Sequence, residues 1–267
     1  MLARVSGPVG VAQPLSASLR KRPHCTAALL AAIIAVTLTA PAAAAGQPAV
    51  LKPSPPIRPR VSAFPRLVAK RGQAAARINR LLKEADRSAV AGMCKDYRRK
   101  VRVTMRGPGY VSLLASDDWF CGGAYPDSSQ KVLVYDLATG RPADWKTILT
   151  PALVDKVVPT TGGGESDPVR VGSSVLWALY LKQAQRTSKN KGCADVYADP
   201  GPLGTLLTVW PDAKADRLGL QPSEWPHVVK ACAVPITIPA AELRKLGVQA
   251  AFLDALDEAH RRGWYDK

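Results

Sequence analysis

The sequence predicts an α+β fold in which an antiparallel sheet is flanked by helices in a single domain. Apolar and polar residues alternate over residues 98–106, and a second apolar stretch follows a Gly-Pro pair. This is the pattern of a half-buried hairpin. Apolar residues also recur at three- and four-residue steps before the hairpin and near the end of the sequence. That spacing indicates amphipathic helices that pack against the sheet.

The first 45 residues have the pattern of a secretory signal peptide. Four basic residues and no acidic ones precede a short apolar stretch over residues 26–40, and three alanines at 43–45 form a cleavage site of small residues. A retained membrane anchor is the alternative. The apolar stretch is shorter than the ~20 residues that span a bilayer, and Pro41 interrupts it. We therefore expect cleavage near Ala45, a periplasmic or secreted protein, and no transmembrane span.

Three further segments follow the signal peptide. Residues 46–62 contain five prolines, which predicts an extended linker with polyproline II character. Residues 63–247 form the predicted α+β domain, and residues 248–267 form a C-terminal helix. The first helix of the domain is expected over residues 69–88, where the apolar stripe lies.

The hairpin provides a geometric prediction for one disulfide. Gly107-Pro108 fits a two-residue type II′ turn, which places Arg106 opposite Gly109. In that register Cys94 lies opposite Cys121, and we pair them for this reason. Either a bulge or a strand end before Tyr97 is then needed to bring Cys94 to the correct face.

The remaining cysteines, Cys193 and Cys232, are paired by elimination. An even number of cysteines in an exported protein favours disulfides over free thiols. No C-x-x-C spacing of a zinc site is present.

The rest of the sequence is predicted to alternate short strands and helices. The stretch 119–140 is predicted as a strand, a glycine-rich loop, a strand over 131–137 and a tight turn at Thr139-Gly140. A short helix is expected from Pro151 to residue 157. Ser173 or Ser174 is expected to cap a helix that ends near residue 186, and the apolar stretch 175–181 indicates that this helix is buried, with a buried strand as the alternative. Later strands are expected at 203–210, 218–220 and 234–238, and later helices from Pro239 and over 248–262.

The positive charge is concentrated in one part of the sequence. The segment from Lys52 to Arg106 holds 16 of the 37 basic residues and only three of the 21 acidic ones. A predicted basic face comprises Arg77, Arg80, Arg98, Lys100 and Arg102. One interpretation is a solvated surface, and the other is contact with an anionic envelope surface or polymer. Nucleic acid is not an expected partner of an exported protein.

Four motifs, taken together and in order, carry a family resemblance. They are Arg77-Ile-Asn-Arg-Leu-Leu82, Gly122-Gly-Ala-Tyr-Pro126, Tyr135-Asp-Leu-Ala-Thr-Gly140 and Val234-Pro-Ile-Thr-Ile-Pro239. The sequence resembles, over about residues 65–246, the extracytoplasmic domain shared by RsiV-type anti-sigma factors and the non-catalytic part of PdaC-type peptidoglycan deacetylases. The resemblance implies an α+β fold and an exported domain that binds a partner and does not catalyse a reaction.

The resemblance also suggests a kind of partner. In RsiV-like members the ligand is lysozyme, sensed at the cell surface. The sequence departs from the family because it has no cytoplasmic sigma-binding segment, no deacetylase domain and none of the metal-binding histidines of that domain. Neither the sensing role nor the deacetylase activity is therefore expected here.

The residue types argue against several kinds of catalysis. Only two histidines follow the signal peptide, His227 and His260, and they are far apart in sequence, so we expect no metal and no cofactor. No G-x-S-x-G motif is present. Asp117 and Asp118 are adjacent, and neighbours on a strand point to opposite faces, so they are not expected to share an acid–base site.

The glycine-rich loop is the candidate binding site, because aromatic side chains beside glycines can stack on sugars or anchor a protein. Its residues are Trp119, Phe120, Gly122, Gly123, Tyr125 and Asp127, with Tyr135 on the next strand. The alternative is that the aromatics only pack around a disulfide. We expect an exported cell-envelope binding module that contacts glycan or a glycan-directed protein such as lysozyme. A small envelope hydrolase with unrecognised carboxylates and a basic scaffold that binds anionic envelope polymers are the alternatives.

Overall fold

A computed structural model describes residues 47–68, 72–90, 94, 96–122, 125–160, 164–199, 205–223 and 225–266. The signal peptide expected over residues 1–45, the start of the first predicted helix at 69–71 and Gly123 of the glycine-rich loop lie outside the described residues.

The described residues form ten strands and six α-helices. In order they are β1 (Leu51–Lys52), β2 (Arg66–Leu67), α1 (Gln73–Val90), β3 (Arg98–Arg106), β4 (Tyr110–Trp119), β5 (Asp127–Asp136), α2 (Trp145–Leu149), β6 (Lys156–Pro159), β7 (Val169–Gly172), α3 (Ser174–Thr187), α4 (Ala194–Ala198), β8 (Leu206–Asp212), β9 (Arg217–Pro222), β10 (Ile236–Pro239), α5 (Ala240–Lys245) and α6 (Ala250–Arg262). Two short 3₁₀ helices span Lys191–Cys193 and His227–Cys232. The strands form a two-stranded, a three-stranded and a five-stranded sheet, and every strand pair is antiparallel. The predicted α+β class with antiparallel sheet and flanking helices is confirmed.

The three-stranded sheet, ordered β3-β4-β5, lies between α1 and the five-stranded sheet. Odd-numbered residues of β4 and β5, such as Leu113 and Leu133, pack with buried leucines of α1. Even-numbered residues, such as Leu114 and Val132, pack with the core of the five-stranded sheet. Because side chains alternate along a strand, each face of this sheet has its own core. Each fully buried leucine contributes roughly 1.5–3 kcal/mol to folding.

The hairpin has the predicted strand β3, but the predicted turn and register are wrong. Three residues, 107–109, connect the strands, and Arg106 pairs with Val111. A second shift occurs between Val103 and Met105, where one extra residue forms a bulge. Glycine is needed at Gly107, which has a φ of 114°, because a Cβ there would lie 3.2 Å from the Cα of Pro48.

Both predicted disulfide pairs are confirmed. The Cα atoms are 4.9 Å apart for Cys94 and Cys121 and 5.4 Å apart for Cys193 and Cys232. Cys94 precedes β3, which begins at Arg98, so a strand end and not a bulge places it beside its partner. Cys94 and Cys121 therefore meet just beyond the paired residues of the hairpin. The prediction of this pair is correct, although the register on which it was based is wrong.

The described part of the proline-rich segment, residues 47–62, packs against the domain. Val61 is fully buried. The backbone of this segment bonds to β3, with Ala49 N donating to Arg106 O at 2.7 Å and Ser62 N donating to Arg99 O at 3.1 Å. β3 is an edge strand with open backbone groups, and the segment covers them.

The helix expected from Pro151 is a wrong prediction. The helix α2 lies earlier, because Asp144 caps it by accepting hydrogen bonds from Lys146 N at 3.1 Å and Thr147 Oγ1 at 2.7 Å. Pro151 lies in a turn, and residues 156–159 form β6. The cap at Ser173 is confirmed, since its hydroxyl accepts from Leu176 N at 3.0 Å. Each helix among the described residues is too short or too polar to span a lipid bilayer.

Candidate functional site

The aromatic loop lies between the end of β4 and the start of β5. Trp119 is the last residue of β4 and is half-buried, whereas Phe120 and Tyr125 are 40% and 72% exposed. The Cys94–Cys121 disulfide ties this loop to the segment before β3. Gly122 has a φ of 86°, a conformation that glycine adopts without steric cost. The loop therefore presents aromatic side chains from a covalently fixed base.

The 3₁₀ helix at 227–232 packs beside this loop. Asp127 accepts a hydrogen bond from Lys230 Nζ at 2.6 Å, and His227 Nδ1 lies 3.7 Å from the same carboxylate oxygen. Lys230 Nζ lies 5.6 Å from the centre of the Trp119 ring, and the rings of Tyr125 and His227 are 5.8 Å apart. These five residues form what we call the rim.

The carboxylate of Asp127 holds the rim together. Its partial burial alone would raise its pKa, but the hydrogen bonds from Lys230 and from Ser128 N outweigh this effect, so its pKa lies below the ordinary value. Asp127 is therefore ionised at neutral pH and pairs with Lys230. Sequence analysis identified Asp127 and the aromatics of the loop but did not predict that the residues around His227 would complete the surface.

Tyr135 does not belong to this surface, although the sequence analysis grouped it with the loop. It is 1% exposed and packs in the core between α1 and the three-stranded sheet. Its burial raises the pKa of its hydroxyl. Its position several residues along β5 from the loop makes it part of the core.

Next to the rim lies a cleft of about 200 Å³ between the two larger sheets. We call it the polar cleft, because hydroxyl and amide side chains dominate its walls. The walls include Ser116, Ser128, Gln130, Thr208, Gln221 and Trp225. The first three come from the even-numbered face of β4 and β5, and the next two come from β8 and β9. The two sheets separate beyond their shared core and leave this space.

Three buried polar atoms in the walls of the polar cleft have no hydrogen-bond partner among the described residues. They are Gln130 Oε1, Gln221 Oε1 and Trp225 Nε1. The amide nitrogen of Gln221 donates to Ala233 O at 2.7 Å, which fixes the side chain while its oxygen has no partner among the described residues. A buried polar group without a partner costs about 1–3 kcal/mol, so such groups are rare unless they serve a ligand or an ordered water.

Trp225 joins the polar cleft to the core. Its ring is 4% exposed and meets Trp177 and Tyr180 edge-on at 6.0 and 6.2 Å. The hydroxyl of Tyr197 donates to Cys232 O at 2.6 Å, so the second disulfide lies in the same aromatic cluster. The walls of the cleft are therefore held rigidly, which favours binding with little loss of side-chain entropy.

The adjacent aspartates have different surroundings. Asp117 is buried and accepts hydrogen bonds from Arg99 Nε at 2.6 Å and Nη2 at 2.8 Å, whereas Asp118 is exposed. The two lie on opposite faces of β4, as the alternation of the strand requires. They do not form a paired acid–base site.

The predicted basic residues fall into two groups. Arg77 and Arg80 lie on α1, and both pair with Glu165. Arg98, Lys100 and Arg102 are exposed on the even-numbered side of β3, which faces away from α1. The structure therefore does not bring all five together on one face.

The two histidines are separated as the sequence suggested. His227 belongs to the rim, and His260 Nδ1 lies 2.9 Å from Ala213 O at the other end of the domain. In the described part of the chain, no group of three or more His, Cys, Asp or Glu residues is arranged to hold a metal ion.

Comparison with known proteins adds no assignment: no family model matches this chain, and no curated protein is similar to it.

Proposed function

We propose that the protein is an exported cell-envelope module that binds a glycan in the polar cleft. The observation that carries this proposal is the set of three unpartnered polar atoms, Gln130 Oε1, Gln221 Oε1 and Trp225 Nε1. Sugar hydroxyls both donate and accept hydrogen bonds, so one sugar unit offers partners to two acceptors and one donor. Amides and hydroxyls are the commonest side chains of the walls and suit a polar ligand, although Asp117, Asp118 and Lys230 also line the cleft.

The rim supports a ligand that is longer than one unit. Tyr125 and His227 lie beside the cleft with exposed rings, and exposed aromatic faces stack on the apolar faces of sugars. An extended glycan would then have one unit in the polar cleft and a neighbouring unit against the rim.

Export is supported by the two disulfides, because such bonds persist in oxidising compartments outside the cytoplasm. The resemblance to extracytoplasmic domains and the expected signal peptide support the same location. The polar cleft supports a binding role, because the adjacent aspartates Asp117 and Asp118 lie on opposite faces of β4 and do not point to a shared position.

The test is calorimetric titration of the purified, oxidised protein with oligosaccharides of N-acetylglucosamine and with soluble peptidoglycan fragments. We expect binding that is weakened about 5–15-fold by Gln130→Leu, the equivalent of one hydrogen bond of about 1–1.5 kcal/mol. Gln221→Leu should weaken it as well. The matched control is Gln185→Leu on the exposed face of α3, which should leave binding unchanged.

Thermal unfolding provides the second measurement. Gln130 Oε1 has no partner within the described residues, so its removal should not lower the melting temperature. Loss of binding at unchanged stability would identify a ligand contact. Failure to bind any glycan would overturn the proposal, and binding of lysozyme without binding of glycan would replace it with a protein partner.

A further inference from the structure

A second cleft lies at the same end of the three-stranded sheet, on the face toward α1. It encloses about 320 Å³ and is lined by Tyr97, Arg99, Trp119 and Lys131, among others. The last two are odd-numbered residues of β4 and β5, whereas Ser116, Ser128 and Gln130 of the polar cleft are even-numbered. The two clefts therefore lie mainly on opposite faces of the sheet, and Asp117 and Ser129 border both. We call this one the basic cleft.

Arg99 is a buried cation with one donor group left over. Its side chain is 1% exposed, and Nε and Nη2 are occupied by Asp117. Nη1 has no hydrogen-bond partner among the described residues. The ion pair with Asp117 holds the guanidinium in place, and burial that would lower its pKa is outweighed by those hydrogen bonds. A charged donor without a hydrogen-bond partner is thus held at the cleft.

Lys131 adds a second positive charge. The only hydrogen bond of its side-chain amine among the described residues is to Ser88 Oγ at 3.4 Å, and no described carboxylate lies within 4.0 Å of this amine. Burial first, and then the charge of Arg99, lower its pKa. Asp117 is the lining carboxylate, and Arg99 already uses both of its oxygens. The cleft therefore carries excess positive charge.

Aromatic rings form another wall of the basic cleft. The rings of Tyr97 and Trp119 are stacked with their centres 6.5 Å apart and an angle of 23° between their planes. The volume of the cleft lies near the lower end of the range for small-molecule sites, roughly 300–1,000 Å³. That is more space than a single inorganic anion fills. The ligand should therefore combine an anionic group with a compact body that covers an aromatic surface.

We propose that the basic cleft binds a carboxylated sugar unit. Its carboxylate accepts hydrogen bonds from Arg99 Nη1 and Lys131 Nζ, and its ring lies against Trp119 and Tyr97. Arginine and lysine form their strongest hydrogen bonds with charged acceptors. A neutral sugar would leave the charge of Lys131 without a counter-charge, and a bare anion would leave the aromatic wall uncovered. This inference does not rest on glycan binding in the polar cleft, because none of the three unpartnered atoms of that argument is used here.

The first experiment compares acidic sugars with their neutral counterparts on the full protein by calorimetry and by NMR of the tryptophan indole and arginine Nε signals. N-acetylmuramic acid is compared with N-acetylglucosamine, and glucuronic acid with glucose. We expect an acidic sugar that binds to have an affinity at least tenfold higher than that of its neutral counterpart. We also expect it to shift the NMR signals of Trp119 and Arg99. The first pair tests a lactyl carboxylate and the second a uronate, so the stronger acid identifies the source. Inorganic phosphate should bind more weakly than either.

The second experiment uses variants that separate the two clefts. Lys131→Gln removes a charged hydrogen bond and should weaken binding of the acidic sugar about tenfold or more. Lys100→Gln, which removes the same charge from an exposed position on β3, should not. Gln130→Leu is adjacent to Lys131 on the opposite face and should affect only the polar cleft. Trp119→Leu should weaken binding of acidic sugars while leaving binding of phosphate unchanged.

Several results would overturn the proposal. Equal affinity for acidic and neutral sugars would show that the cations do not contact the ligand. Phosphate binding as tight as that of both acids would show that charge alone is recognised. Equal effects of Lys131→Gln and Lys100→Gln would show long-range attraction only. The comparison of sugars uses the unmodified protein, so it remains decisive if a variant fails to fold.

Discussion

The two neighbouring aspartates on β4 provide a strong test of the structure. Asp117→Asn would leave the guanidinium of Arg99 buried, with a side chain 1% exposed, and without its counter-charge. Breaking a buried ion pair by removing one partner typically costs about 3–5 kcal/mol. Asp118→Asn makes the same chemical change one residue away, at an exposed position, and should cost less than about 0.5 kcal/mol.

The measurement is thermal and guanidinium unfolding of both variants beside the unmodified protein. In a domain of this size, 3–5 kcal/mol corresponds to a fall in melting temperature of roughly 6–20 °C. The double replacement Arg99→Met with Asp117→Leu should recover most of the loss, because no buried charge then remains. Equal and small effects of the two Asn variants would refute the burial of this pair and with it the placement of Arg99 in the basic cleft.

Three further predictions follow from other parts of the fold. Replacing both Cys193 and Cys232 by Ala should lower the free energy of unfolding by about 4 kcal/mol, because the disulfide closes a sequence separation of 39. Replacing Cys94 and Cys121 should lower it somewhat less, because their separation is 27. Denaturant unfolding that gave the reverse order would contradict this prediction. Gly140→Ala should lower the melting temperature more than Gly109→Ala. Both glycines have a positive φ, but of these two positions only 140 would bring a Cβ against the backbone of Ala74. Equal losses of melting temperature would show that backbone strain alone matters. The pKa of Asp127 is lower in the folded protein than its ordinary value of about 3.9. Ionised Asp127 therefore stabilises the fold at pH values above about 3.9, and this stabilisation is lost as the pH falls through the pKa of the folded state. Asp127→Asn should therefore reduce stability by at most about 1 kcal/mol near pH 6 and not at all near pH 2, and a difference that persisted at pH 2 would argue against the ion pair with Lys230.

The fold class was predictable because its strongest signals are local. The alternation in residues 98–106 has the bounds of β3, and the stripe of α1 and the cap at Ser173 are properties of consecutive residues. The hairpin register was not predictable, because the bulge after Val103 depends on contacts outside the hairpin. There, Thr104 O accepts from Ala213 N at 3.0 Å, a contact that no local pattern reveals.

The true start of helix α2 does have a local signal. Asp144 and Thr147 form a capping pattern just before Pro151, and this pattern outweighs the preference of proline for a first helical turn. The proline-rich composition of residues 46–62 predicts an extended segment, and buried Val61 shows that such a segment can also cover the edge of a sheet.

The candidate site was predictable only in part. The aromatics and glycines of the loop were visible because they are adjacent in sequence. Gln130, Gln221 and Trp225 come from separate strands and from a loop, and an isolated glutamine gives no signal of its own. Lys131 and Arg99 were present among many basic residues, and only the fold shows that they line one cleft.

Both ends of the described chain meet at Arg106. Its carbonyl accepts from Ala49 N, and its amide donates to Trp264 O at 2.9 Å. The clefts lie at the opposite end of β3, about 26 Å away for a nine-residue strand. A tether attached before residue 47 would therefore hold the domain at the end opposite the two clefts and point the clefts outward. Grafting a reporter at either terminus should leave that outward end unobstructed.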